Sequence, residues 1–433
     1  MSLLIAAPAS GAGKTTITLG LLRALTRAGV PIRSAKLGPD FIDPRFHEAA
    51  TGAPCPNLDP WAMRGPRLRA LAGSAPLIVE GAMGLYDGAN GERAGSGEDL
   101  AERLELYVVL VLDCARASRS IAAVAEGMLR FGPGLRFGGL ILNNTGSERH
   151  ERMLRAALDR PRLPKILGVV RRDPRLAHPG RHLGLVQAEE RADLEDLLDT
   201  CAEIIGASVD LNEITRLASS DRLKSSHGRG LRPLGQRIAV ARDRAFAFCY
   251  PHLLEDWRRA GAELSFFSAL ADEAPDPSAD AVYLPGGYPE LHAGRIAAAT
   301  HFLSGLRKSA QTAVVYGECG GYMVMGQGLI DAEGTRHAMA GLLPLETSFS
   351  DPRRHLGYRR ATAAEGPLRG HYTAHEFHYS TQLAAKAAPL FEVSDAAGTK
   401  LGPAGLRQGS VMGSYLHLID RDDPPLDGAS AHT

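Results

Sequence analysis

The chain has 433 residues, 44% apolar and 23% charged, and its 49 Lys and Arg are balanced by 49 Asp and Glu. That length suits about two or three globular domains. The zero net charge argues against nucleic acid as a partner, and no stretch approaches the roughly 20 apolar residues of a membrane span.

The N-terminus, MSLLIAAPAS, has no basic lead-in and runs straight into a glycine loop, so a signal peptide is not expected. The five cysteines, Cys55, Cys114, Cys201, Cys249 and Cys319, are scattered and odd in number. They suggest neither a disulfide framework nor a zinc site, and a cytoplasmic location is expected.

Residues 2–7 read as a short apolar strand, 8–16 as the loop PASGAGKTT, and 17–27 as a helix. Strand, glycine loop and helix form the context of a phosphate-binding loop. Ser10, Gly11, Ala12, Gly13, Lys14, Thr15 and Thr16 are its expected ATP-binding residues. Backbone N–H groups would face the phosphates, Lys14 would pair with their outer oxygens, and the Thr15 hydroxyl would hold Mg²⁺. The common pattern GxxxxGK(S/T) asks for glycine where this chain has Pro8, so the loop is a variant.

A strand over 31–36 leads into LGPDFIDPRFH, which carries Asp40 and Asp43. Open α/β sheets bind ligands at this end of their strands. The next strand, 76–80, ends in Glu80, a carboxylate placed to contact Mg²⁺. The near-continuous apolar run LYVVLVLD marks a strand covered on both faces. Further alternation of strand and helix predicts a doubly wound parallel sheet. Asn143 and Asn144 end one strand, where they could read the base or simply turn the chain.

A domain boundary is expected in the polar stretch 207–236, separating an ATP-dependent unit, 1–206, from a second α/β unit, 237–433. In the second unit a strand over 280–284 ends in the turn Pro285-Gly286-Gly287. A strand over 312–316 is followed by Gly317, Cys319, Gly320 and Gly321, then by a run that could start a helix. A cysteine at such a turn is held exposed, and a helix N-terminus would favour its thiolate. N–H groups of the Pro285-Gly286-Gly287 turn could complete an oxyanion hole with those beside Cys319. His417 is the expected base, although Ile419, two positions on, cannot orient it.

The stretch GHYTAHEFHYST holds His375, His378, Glu376 and Tyr379. Its aromatic alternation suits one wall of a large flat ligand site better than a metal site. Arg353, Arg354, Arg359 and Arg360 lie upstream and would suit a polyanion.

Taken in order, PASGAGKTT, KLGPDFIDPRFH, VEGAMGLYDG, ILNNTGSERH, LPGGYPELH, YGECGGYMVMG, HEFHYS and GSYLHL resemble the cobyrinic acid a,c-diamide synthase family over nearly the whole chain. The first half is similar to the dethiobiotin synthetase-like ATPases and the second to class I glutamine amidotransferases. The resemblance implies ATP- and glutamine-dependent amidation of two corrin acetates, through an acyl phosphate and ammonia. The branch acting on hydrogenobyrinic acid in aerobic cobalamin synthesis is the nearest.

Cys319 and His417 would then release ammonia from glutamine, as a dyad rather than a triad. Thr15, Asp40 and Glu80 would contact Mg²⁺, and Lys36 and Asp43 would serve phosphoryl transfer. His375 and Tyr379 would meet the corrin. The expected partners are small molecules, namely corrin polycarboxylate, glutamine and ATP, with a homodimer as the assembly to test. Competing readings are the same reaction on cobalt-containing cobyrinic acid, another tetrapyrrole amidase such as cobyric acid synthase, and a partner-positioning P-loop ATPase.

Overall fold

The computed structural model describes residues 2–74, 76–176, 187–219, 228 and 230–422. It divides into two compact units, Met1–Arg229 and Gly230–Thr433.

The first unit is built on seven strands: β1 (Leu3–Ala6), β2 (Arg33–Leu37), β3 (Asn57–Leu58), β4 (Leu77–Glu80), β5 (Tyr107–Asp113), β6 (Arg136–Thr145) and β7 (Ile166–Arg171). Their order is β3-β2-β4-β1-β5-β6-β7, and every pairing is parallel. β1 and β4 are buried along their whole length, as apolar runs without alternation require. Register places Ile5 beside Glu80 and Lys36 beside Glu80, so neighbouring carboxyl ends bring the loop, an acid and a base together.

The helix Lys14–Arg27 follows the loop and buries Ile17, Leu21 and Leu25. It lies tightly against the helix Leu194–Ser208: a side chain at Gly20 would collide with Ile205 and the carbonyl of Cys201. Arg23 ties the same two helices through Glu195 and Asp199. The stretch expected to be a linker contains a helix, Leu211–Ser219, and Ile214, Leu217 and Ala218 join the core of the first unit. The expected linker residues 220–227 and 229 lie outside the described residues.

In the second unit, β8 (Arg237–Ala241), β9 (Glu263–Phe267), β10 (Ala281–Leu284), β11 (Val314–Glu318), β20 (Leu406–Gln408) and β21 (Val411–Ser414) form one sheet, ordered β20-β21-β11-β10-β8-β9. It is parallel except for β20. A four-stranded sheet contains β12 (Gly328–Ile330), β13 (Arg336–Ala338), β14 (Leu345–Ser348) and β17 (Thr381–Ala385). An antiparallel five-stranded sheet contains β15 (His355–Ala363), β16 (Gly370–His378), β18 (Phe391–Asp395), β19 (Lys400–Ala404) and β22 (Leu416–Arg421). The strand leading to Cys319 does not stop at Gly317. It runs on to Glu318, which pairs in register with Ser414.

Among the described residues, no helix is long and apolar enough to cross a membrane.

Candidate active sites

The loop after β1 opens onto a cavity of about 710 Å³, within the range of small-molecule sites. Ser10, Gly11, Gly13, Lys14, Thr15 and Thr16 line it, together with Lys36, Asp40, Asp43 and Glu80. Ala12 is buried, and Asn143 Nδ2 donates to its carbonyl at 2.9 Å. Gly13 has a φ of 90°, and a side chain there would collide with the same amide. Glycine is therefore required on two counts. Asn143 is itself buried and holds the loop through this bond.

Glu80 is the hub. Its Oε1 accepts from the Thr15 hydroxyl at 2.6 Å and from Lys36 Nζ at 2.7 Å. Its Oε2 lies 2.6 Å from His47 Nε2. Burial disfavours the charge, but Lys36 and then His47 outweigh it and hold the carboxyl well below the usual carboxylate range. Lys36 also meets Asp43 Oδ2 at 2.6 Å. Burial and then Asp40 push the Asp43 carboxyl up to about 7, against Lys36.

Asp40 uses Oδ1 to accept from the backbone N–H groups of Ile42 and Asp43. It therefore holds the turn that leads into the helix Asp43–Thr51 as well as lining the cavity. Lys14 Nζ rests on the carbonyl of Met83 at 2.6 Å, and burial and then Lys36 lower its pKa. His47 is a member of the site that sequence reasoning misses. It is fully buried, with Nδ1 3.4 Å from Cys55 Sγ.

In the second unit Cys319 sits between β11 and the helix Gly320–Met325, with φ 46° and ψ −105°. Such a backbone is costly for a residue with a Cβ and persists only where the surroundings enforce it. Gly286 shows how close the two predicted catalytic groups stand. A side chain there would collide with His417 Cε1 and lie 3.2 Å from Cys319 Cβ. One at Gly287 would run into the carbonyl of Ala245, and one at Gly320 would lie 3.0 Å from Gly287 N. The N–H groups of Gly287 and Gly320 both act on the Cys319 sulfur.

The electrostatics correct one expectation. The thiol is not tuned toward thiolate: burial and then Glu290 push it well up, against those two N–H groups. The following helix has only six residues, too little to offset desolvation. Burial, then His375 and His378, lower His417 to about 3. Both shifts favour the uncharged forms of the two side chains.

His375 stands directly opposite His417 across β16 and β22, which ties it to the cysteine site. Tyr379 follows β16, half-buried, and its carbonyl accepts from Arg353 N–H. The arginines expected to meet a polyanion have acids beside them: Arg353 pairs with Asp351, Arg359 with Glu376 and Arg360 with Asp422. His355, Glu376 and His378 gather ligand atoms within 4.8 Å of one another. Glu376 is already shared between Arg359 and His378.

Residues 3–186 match the CobQ/CobB/MinD/ParA nucleotide binding domain, and residues 237–424 the CobB/CobQ-like glutamine amidotransferase domain. The chain is 57% identical over 428 residues to hydrogenobyrinate a,c-diamide synthase of Sinorhizobium sp, covering 96% of this chain and 98% of that protein. It is 55% identical over 427 residues to the protein of the same name from Rhizobium meliloti (strain 1021), covering 96% and 99%. For that of Rhodobacter capsulatus the identity is 54% over 429 residues, covering 96% and 98%. A nucleotide-binding unit joined to a glutamine amidotransferase unit defines a glutamine-dependent, amide-forming ligase. Within that class, the chain belongs to the hydrogenobyrinate a,c-diamide synthase family.

Proposed function

We propose that this chain uses ATP and glutamine to convert the a and c acetates of hydrogenobyrinate into amides. The observation that carries this reading is the pairing of two complementary sites in one family member. One is a phosphate loop backed by Lys36, Asp43 and Glu80, and the other a cysteine turn beside His417.

A carboxylate is a poor electrophile, so the acetate first needs activation. Its oxygen attacks the γ-phosphorus of ATP, the bond to ADP breaks, and an acyl phosphate forms. Lys14 and the loop N–H groups would bind the phosphates. Lys36, held by Asp43 and Glu80, would orient the acetate and screen its charge. The donors beside the loop are hard oxygens, the Thr15 hydroxyl and the Glu80 carboxylate, with Asp40 on the cavity wall. They fit Mg²⁺, which when bound supplies charge neutralisation at the phosphates.

In the other unit, the Cys319 proton passes to His417 while the sulfur attacks the glutamine amide. Gly287 and Gly320 N–H groups would receive the developing oxyanion. The proton returns to the departing ammonia, and water then hydrolyses the thioester to glutamate. Ammonia displaces phosphate from the acyl phosphate to give the amide.

The reading is tested by mass spectrometry of hydrogenobyrinic and cobyrinic acids, each incubated with ATP, Mg²⁺ and glutamine. Two amides gained on the first acid are expected. Two gained only on the second would move the assignment to the cobalt-containing substrate, and none on either would refute it. Cys319→Ala should lose glutamine-supported amidation yet retain amidation with ammonium salts. If glutamine still serves, Cys319 is not the nucleophile.

A further inference from the structure

We infer that Glu318, the residue immediately before the nucleophile, is the carboxylate that orients His417, completing a triad from a position that Ile419 cannot fill. This rests on the reading of Cys319 as nucleophile and His417 as base.

Glu318 Oε2 lies 3.9 Å from His417 Nδ1, and both side chains are buried, at 2% and 1% exposure. A carboxylate so far from water is costly unless it is held by donors. Three converge on it. Tyr283 donates its hydroxyl proton to Oε2 at 2.8 Å, Tyr316 donates to Oε1 at 2.9 Å, and the backbone N–H of Leu418 donates to Oε1 at 3.2 Å. Leu418 is the next residue after His417, so the carboxylate grips the backbone of the histidine's own strand. Two strands, β11 and β22, are thereby fixed at the point where the catalytic proton moves.

The other charged or titratable groups near His417 do not fill this place. His375 and His378 face it from β16 and oppose its protonation. Glu376 favours protonation but is bound to Arg359 and His378. Around Glu318 the titratable neighbours are Tyr283 from β10, Tyr316 from its own strand, Cys319 and His417.

A proton on Nδ1, the nitrogen 3.9 Å from Glu318 Oε2, would leave the Nε2 lone pair to take the Cys319 proton. The imidazolium formed at that moment has a carboxylate beside its other nitrogen. Glu318 itself gains no proton at any step, so the sulfur-to-nitrogen and nitrogen-to-ammonia transfers balance without it.

The test compares the full chain with Glu318→Gln. In glutamine hydrolysis, kcat should fall by about 10²-fold or more, with the KM for glutamine within about twofold, while ammonium-supported activity is unchanged. A wild-type kcat would overturn the inference. Tyr283→Phe gives a second measurement, because it keeps the carboxylate and removes one donor. The acidic limb of its glutaminase kcat profile should move to higher pH, with the wild-type plateau regained above it. An unmoved limb would overturn the inference. The parallel Cys319→Ala assay separates the two readings. Glutamine hydrolysis that survives there refutes the nucleophile itself. Loss there, with Glu318→Gln unaffected, refutes only the triad.

Discussion

Lys36 Nζ stands 2.7 Å from Glu80 Oε1, with 4% of the lysine side chain and 1% of the glutamate exposed. Neither charge could be buried alone, and the pair also supports the Thr15 hydroxyl through the same oxygen. Structural stability and the proposed nucleotide chemistry would thus share one ammonium.

Lys36→Ala should therefore damage both. It leaves Glu80 and Asp43 without their common cation, and removing one partner of a buried ion pair costs about 3–5 kcal/mol. Denaturant unfolding of the variant should show that loss, and ATP-dependent amidation should be abolished. A variant of wild-type stability would mean that Lys36 is not the group that sustains the buried acids.

Gly286 predicts a separation of the two activities. Gly286→Ala would push a methyl group into His417 Cε1 and against Cys319 Cβ. Glutamine-supported turnover should fall by about 10²-fold or more, because the nucleophile and base lose their spacing. Ammonium-supported turnover, which needs neither group, should persist. Equal loss of both would contradict this reading.

His47 predicts how stability changes with pH. Burial opposes its charge, yet Cys55 and then Glu80 outweigh burial and raise it to about 10. A histidine with a raised folded pKa contributes stability that is fully present below its unfolded value of about 6.5 and is lost as pH rises through the folded one. Thermal unfolding temperatures should therefore fall between about pH 6.5 and pH 10. His47→Gln should flatten that slope, and an unchanged slope in the variant would rule His47 out as its cause.

Much of the first unit is readable from its residues, because a parallel sheet covered on both faces demands apolar runs such as LYVVLVLD. The phosphate loop is legible as well: its glycines follow a strand, and its lysine and threonine open the helix Lys14–Arg27. Asp43 and Glu80 can be named from their places after strand ends, whereas Lys36 enters only through the family resemblance. Glu318 cannot, since its meaning lies in a distant histidine that only the antiparallel strand β22 brings alongside. His47 is hidden for a similar reason, as one polar residue on a helix that meets Glu80 at the end of β4. The helix Leu211–Ser219 is masked by the polar residues that follow it, although Ile214, Leu217 and Ala218 recur at helical spacing. The thiolate expectation fails because it weighs a helix terminus and has no means to weigh burial.

The resting state of Cys319 has a consequence for the working life of the molecule. The residue is 3% exposed and belongs to a neutral pair, so it offers peroxide and other electrophiles neither access nor a standing anion. On the proposed reading, reactivity would arise only with the glutamine amide bound. The same burial that would make the proposed nucleophile sluggish in isolation would make it durable between turnovers.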